Sequence, residues 1–117
     1  MDPTEPTLAA MSAAAEQARA ANHAAYDAPG DPPALYARVG ALYDLLVKTR
    51  QLTQVLGTAA TKAAAHPERM YADDGSNPSN RAARAAMFLL ESAQSIDTVI
   101  TVVNEAWSEL SHLGVKP

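Results

Sequence analysis

The sequence predicts an all-α protein: a long antiparallel helical hairpin with a shorter N-terminal helix, closed as a three-helix bundle or a dimeric four-helix-type bundle. Three observations predict it. Apolar residues recur at alternating steps of four and three through two long segments of matching length. Each segment opens on a capping residue followed by proline, Asp31-Pro32 and Asn77-Pro78. A polar turn of about a dozen residues joins them, short enough to force neighbouring antiparallel helices.

Taken in order, residues 1–6 hold Pro3, Pro6 and two acids, and read as a disordered tail; residues 7–117 read as a single helical domain. Thr7 can cap a first helix over about 8–27. That helix is rich in alanine and has no breaker before Pro29. Its large apolar side chains are few, so it must lie on another surface or fray. The stretch DAPGDPP, 27–33, is the clearest linker.

The second helix is expected over about 32–66, because Pro67 pushes its predecessor out of the helical region. Its heptad positions are Leu35, Val39, Leu42, Leu46, Thr49, Thr53, Leu56, Ala60 and Ala63. The turn PERMYADDGSN follows. The third helix is expected over about 78–113, with Gly114 as its stop. Its heptad positions are Ala82, Ala86, Leu89, Ala93, Ile96, Ile100, Val103, Trp107 and Leu110. Trp107 reads as core, packed over Val39 and Leu42. At 1.5 Å per residue each long helix measures roughly 50 Å.

Charges suggest how the hairpin closes. Residues whose numbers total about 145 should face one another, which brings Arg50 near Asp97 and Arg38 near Glu105 or Glu109. Exposed pairs contribute only about 0.2–1 kcal/mol each, so they select register more than they stabilise. Beyond the seam, Leu45 and Leu52 on the second helix and Phe88, Val99 and Val102 on the third mark an apolar edge. Two helices alone would leave it wet. The first helix or a second copy of the chain would have to cover it, and the thin side chains of the first helix favour the second copy.

Composition bounds the function. Net charge is −4, which argues against a generic nucleic-acid or anionic-membrane binder without excluding a local basic patch. There is no cysteine, so thiolate chemistry and Cys-based zinc sites are excluded. The N-terminus lacks a basic region followed by an apolar run, and no run of about 18 apolar residues occurs, so a cytoplasmic chain with no membrane span is expected. His23, His66 and His112 lie far apart, and Asp73, Asp74, Ser76 and Asn77 are explained by turn formation. No cofactor or metal is expected.

Arg69, Arg81 and Arg84 cluster near the hairpin tip. Cations in the first turn of a helix oppose its dipole. They answer the neighbouring acids, or they contact an anion or nucleic acid. Arg19 and His23 share a helix face and bear a slight similarity to the Arg-x4–6-His motif of HEPN-type ribonucleases, with one residue fewer between them than the motif's minimum. In architecture the hairpin resembles the Trp-x-Gly family of secreted helical hairpins. That family's turn would fall in PERMYADDGSN, which has no Trp, so no functional residue carries over.

The reading that follows is a non-enzymatic helical interaction module: a small homodimeric adaptor, scaffold or accessory factor that binds itself and a further protein. The alternatives are a nucleic-acid-associated regulator using the basic tip, and a HEPN-like ribonuclease.

Overall fold

The computed structural model describes residues 5–117. Among them are three α-helices and no strand. The expected tail falls mainly on residues 1–4, which lie outside the described residues. The chain divides into two compact units, Met1–Asp31 and Pro32–Pro117.

The first unit is α1, Pro6–Tyr26, and it buries none of its residues. It begins earlier than the Thr7 cap predicts. Glu5 is the cap instead, its two carboxylate oxygens accepting from the Thr7 and Leu8 amides at 2.8 and 2.7 Å. A carboxylate serves two of the orphan donors where a threonine hydroxyl serves one. Pro6 at the first helical position has no N–H to satisfy. The Leu8 amide first, and then the Thr7 amide, hold the Glu5 carboxyl below its ordinary range.

The second unit is the hairpin. Helix α2 spans Pro32–Ala64 and α3 spans Pro78–Leu110, 33 residues each. Both end short of expectation. Pro67 drives His66 out of the helix and opens a 3-10 turn, Pro67–Arg69. After Leu110 the chain continues in turns, with the His112 and Leu113 amides donating to the Glu109 and Leu110 carbonyls. Asn77 caps α3 as predicted, its Oδ1 accepting from the Asn80 amide at 3.1 Å. Ser79 donates to the Ala64 carbonyl at 2.7 Å and ties the two helix ends together at the tip.

The seam of α3 follows its predicted heptad. None of the nine positions is exposed, and Ala86 and Ala93 are buried, at 4% and 6% exposure. The seam of α2 does not follow. Val39, Leu46, Thr53 and Ala60 are half-buried as expected, and so is Leu56, but Leu35, Leu42, Thr49 and Ala63 are exposed. Tyr43, Arg50, Gly57 and Ala64 take the alternate positions. The helix is turned by about 50° from the predicted phase, half the angle between successive residues.

Two glycines explain the turn. A Cβ on Gly57 would lie 2.9 Å from Leu90 Cδ2, and one on Gly40 would lie 2.9 Å from the Trp107 ring. At both points α3 side chains rest on bare α2 backbone, which any other residue would hold off. Arg50 Nε meets Asp97 Oδ1 at 3.1 Å, as the charge register anticipates. The pairs Gly40–Trp107, Arg50–Asp97 and Gly57–Leu90 each total 147, two more than the expected 145. Trp107 is half-buried at its seam position and rests on Gly40. It stacks between Tyr36 and Tyr43, with ring centroids at 5.5 and 5.4 Å.

By length and composition α3 is apolar enough to cross a membrane, although it has no uninterrupted apolar run. Only 11% of that apolar stretch is buried, along the stripe that α2 occupies, and Asp97 of the same helix is paired to Arg50.

Candidate interaction surface

Helical periodicity and the seam contacts assign the hairpin two different faces. Asp97 reaches Arg50 and Leu90 covers Gly57 from one edge of the α3 stripe. Thr61 and Ala64 of α2 line a shallow groove with Ala83, Met87 and Leu90 of α3 on that same side. This glycine-side face is mostly polar, carrying Asp44, Gln51, Gln54, Gln94, Asp97 and Thr101.

The opposite face holds every residue of the predicted apolar edge. Leu45, Phe88, Val99 and Val102 are 48%, 60%, 47% and 58% exposed, and Leu52 is half-buried. Leu42, displaced from the seam by the turn of α2, joins them at 44%.

This leucine-side face has a regular pattern that apolar counting alone misses. On α3 it occupies positions 81, 85, 88, 92, 95, 99, 102, 106 and 109, and on α2 positions 38, 42, 45, 49, 52, 56, 59 and 63. Both are heptad series, about 100° around each helix from the hairpin seam. Helices with two such stripes at near right angles are built to contact two neighbours, as in a four-helix bundle.

From Leu42 to Ala63 and from Ala85 to Ala106 the face holds no Asp, Glu, Lys or Arg. Two of its few polar residues are already satisfied. Thr49 donates to the Leu45 carbonyl and Ser92 to the Phe88 carbonyl, both at 2.8 Å. Covering these hydroxyls would strand no donor. The charge-free stretch is about 30 Å long and about 20 Å wide at one helix diameter per strand of the hairpin, or roughly 600 Å².

The tip has a different character. Arg81 is held by Asp74 in an ion pair and donates from Nε to Ser76 Oγ at 2.5 Å. Ser76, through its hydroxyl and its amide, and then Arg81 hold the Asp74 carboxyl below its ordinary range. Arg69 and Arg84 have no ion-pair partner among the described residues, and both are exposed. The three arginines therefore do not converge on one free cationic site. Glu68 accepts from His66 at 3.1 Å rather than answering an arginine.

In α1 the Arg19 guanidinium is taken by Glu16 at 2.6 Å, not presented beside His23. Among the described residues no three His, Asp or Glu side chains gather as a metal site would need. Among the described residues one buried side-chain polar atom lacks a hydrogen-bond partner, Trp107 Nε1, whose ring lies against Gly40.

No protein-family model matches this chain, and no curated protein or solved structure is significantly similar to it.

Proposed function

We propose that this chain is a non-enzymatic helical protein–protein interaction module, a small homodimeric adaptor or scaffold that works by docking the leucine-side face of its hairpin on another helical surface. The observation that carries the reading is the charge-free, doubly heptad face. It sets exposed Leu42, Leu45, Phe88, Val99 and Val102 side by side. It also turns the hydroxyls of Thr49 and Ser92 back onto their own helices. Contiguous apolar surface of this size on a small chain marks a site of association. About 600 Å² from each partner, about 1,200 Å² in total, reaches the lower bound for a specific interface.

The tip is a weaker candidate, because Arg81 is already neutralised by Asp74 and the net charge of −4 repels a polyanion.

Light scattering after size exclusion tests the reading. At micromolar concentration the protein should run at twice its 12.3 kDa chain mass, and Phe88→Asp with Val102→Asp should return it to a folded monomer. A wild-type monomer that also captures no protein through this face would refute it.

A further inference from the structure

We propose that two copies pair through the leucine-side face in antiparallel fashion, about a two-fold axis that passes over Leu52 and Ser95; this rests on the interaction reading above and specifies its partner and geometry. The argument begins with the outer row of α3. At seven-residue spacing it reads Arg81, Phe88, Ser95, Val102, Glu109. The row is a palindrome in size and a complement in charge: cation and anion at the ends, large apolar residues inside them, a small residue at the centre. Laid antiparallel on a copy of itself with Ser95 over Ser95, it sets Phe88 against Val102 and Arg81, which also pairs with Asp74, against Glu109. Isologous contact of this kind is what a two-fold dimer requires.

The axis carries over to α2. In the register of the hairpin, where facing residues total 147, Ser95 lies beside Leu52. An axis over Ser95 therefore also passes over Leu52. The outer row of α2 reads Arg38, Leu45, Leu52, Ala59 and, just past the helix end, His66. About Leu52 it sets Leu45 against Ala59, a large side chain opposite a small one that interdigitating layers accept, and Arg38 against His66 at the ends. The α3 row thus fixes the axis, and the α2 row accommodates it at the same level of the hairpin.

The ends fit the same arrangement. Between Lys62 and Arg84 the tip carries Lys62, Arg69, Arg81 and Arg84 against Glu68, Asp73 and Asp74. The hairpin's open end carries Arg38 and Lys116 against Glu105 and Glu109. Antiparallel pairing lays the net-positive tip of one copy over the balanced open end of the other. Parallel pairing would lay the two net-positive tips on each other, which costs specificity at an interface rim.

The chain has no cysteine, so single cysteines report the geometry directly. Ser95→Cys and Leu52→Cys sit on the axis, and Gln51→Cys sits on the polar face as a control. Ser95 is exposed, so its variant tests the axis even if Leu52→Cys loosens the hairpin. With circular dichroism confirming native helix content, mild oxidation should join Ser95→Cys, and separately Leu52→Cys, into covalent dimers within minutes while Gln51→Cys stays monomeric. Cβ atoms must come to about 4 Å for that bond, so the readout is strict. If the protein is dimeric but only a mixture of the two single variants cross-links, the pairing is parallel. The antiparallel axis is then wrong, while the interaction reading stands. If Gln51→Cys cross-links as fast as Ser95→Cys, collision explains the bond and the axis is refuted. A monomer by light scattering overturns both this proposal and the homodimeric reading beneath it.

Discussion

Replacing Gly40 or Gly57 with alanine is the same chemical change at two close approaches of α3 to α2, and the two should move stability in opposite directions. In a helix interior alanine is favoured over glycine by about 1 kcal/mol. Against this stands the contact the new methyl would make. At Gly57 it meets Leu90 Cδ2 at 2.9 Å and Cγ at 3.0 Å. Leu90 is 38% exposed, so a rotamer change can swing its end toward solvent. At Gly40 the methyl meets three atoms of the Trp107 ring between 2.9 and 3.1 Å. That ring lies between Tyr36 and Tyr43 at tilts of 32° and 33°, so moving it clear of the methyl disturbs both ring contacts.

Overpacking of a fixed group costs about 1–3 kcal/mol. The expected balance is a gain of about 0–1 kcal/mol for Gly57→Ala and a loss of about 0–2 kcal/mol for Gly40→Ala. Near 4–8 °C per kcal/mol for a domain of this size, the two melting temperatures should differ by about 5–10 °C. Thermal unfolding followed by circular dichroism at one protein concentration reads this directly. If Gly40→Ala melts at or above Gly57→Ala, the glycines are not the close-approach points that set the phase of α2.

Three further outcomes follow from the same contacts. Arg50 occupies a seam position with its head on Asp97, so Arg50→Met should keep stability within about 1 kcal/mol, because the exposed pair is worth little and the apolar stem still packs; a loss above about 2 kcal/mol in urea unfolding would show that the pair itself holds the register. Trp107→Phe removes the only buried polar atom found without a partner among the described residues and keeps a ring between the two tyrosines, so it should cost far less than Trp107→Ala, for which about 3 kcal/mol is expected; equal melting temperatures for the two variants would contradict this.

The Asp74 carboxyl is held below its ordinary range, so the stability it lends the tip is present above the unfolded aspartate value near 3.9 and is lost only as pH falls through its lower folded value. The Ser76 amide shift, followed by NMR, should titrate with a midpoint below about 3.9; a midpoint at or above that value would mean that Ser76 and Arg81 do not hold the carboxylate.

What was legible in the sequence depended on whether a helix carries one apolar stripe or two of similar weight. In α3 the seam alternates alanine with Leu, Ile, Val and Trp, and the second stripe is diluted by Ser92 and Ser95, so periodicity found the buried row without ambiguity. In α2 the leucines are split between two stripes. The predicted series took Val39, Leu46, Thr53 and Ala60 from the true seam and Leu35, Leu42, Thr49 and Ala63 from the open face. A count of apolar residues passes over Gly40, Gly57 and Arg50, which are the residues that mark where α3 lies closest. The Arg50–Asp97 pairing was legible, but only as a contact between the edges of the two helices; that position 50, with 43, 57 and 64 at heptad spacing, lies on the seam follows from the burial of those residues. The apolar edge was found from its residues alone. Its second heptad on α2 was not, because it emerges only once the phase of that helix is fixed.

That phase also bears on what kind of surface covers the face. An interfacial helix that rests on a bilayer presents an apolar stripe flanked by many Lys and Arg, which bind the anionic headgroups. Here the leucine-side face ends at Arg38 beside Glu109 and at Arg81 paired to Asp74, so each basic residue at its rim has an acid at the same level. With a net charge of −4 the chain has no basic surplus to offer a membrane. The face is also wider than one amphipathic helix, and two heptad stripes side by side leave a channel between their ridges. Knobs from a second helical pair fill such a channel at the density of a protein interior, whereas fluid acyl chains do not. A rim of balanced charge, self-satisfied hydroxyls and paired heptads all favour a partner made of helices, and the palindrome in the outer row of α3 is the feature on which the proposed pairing of two copies rests.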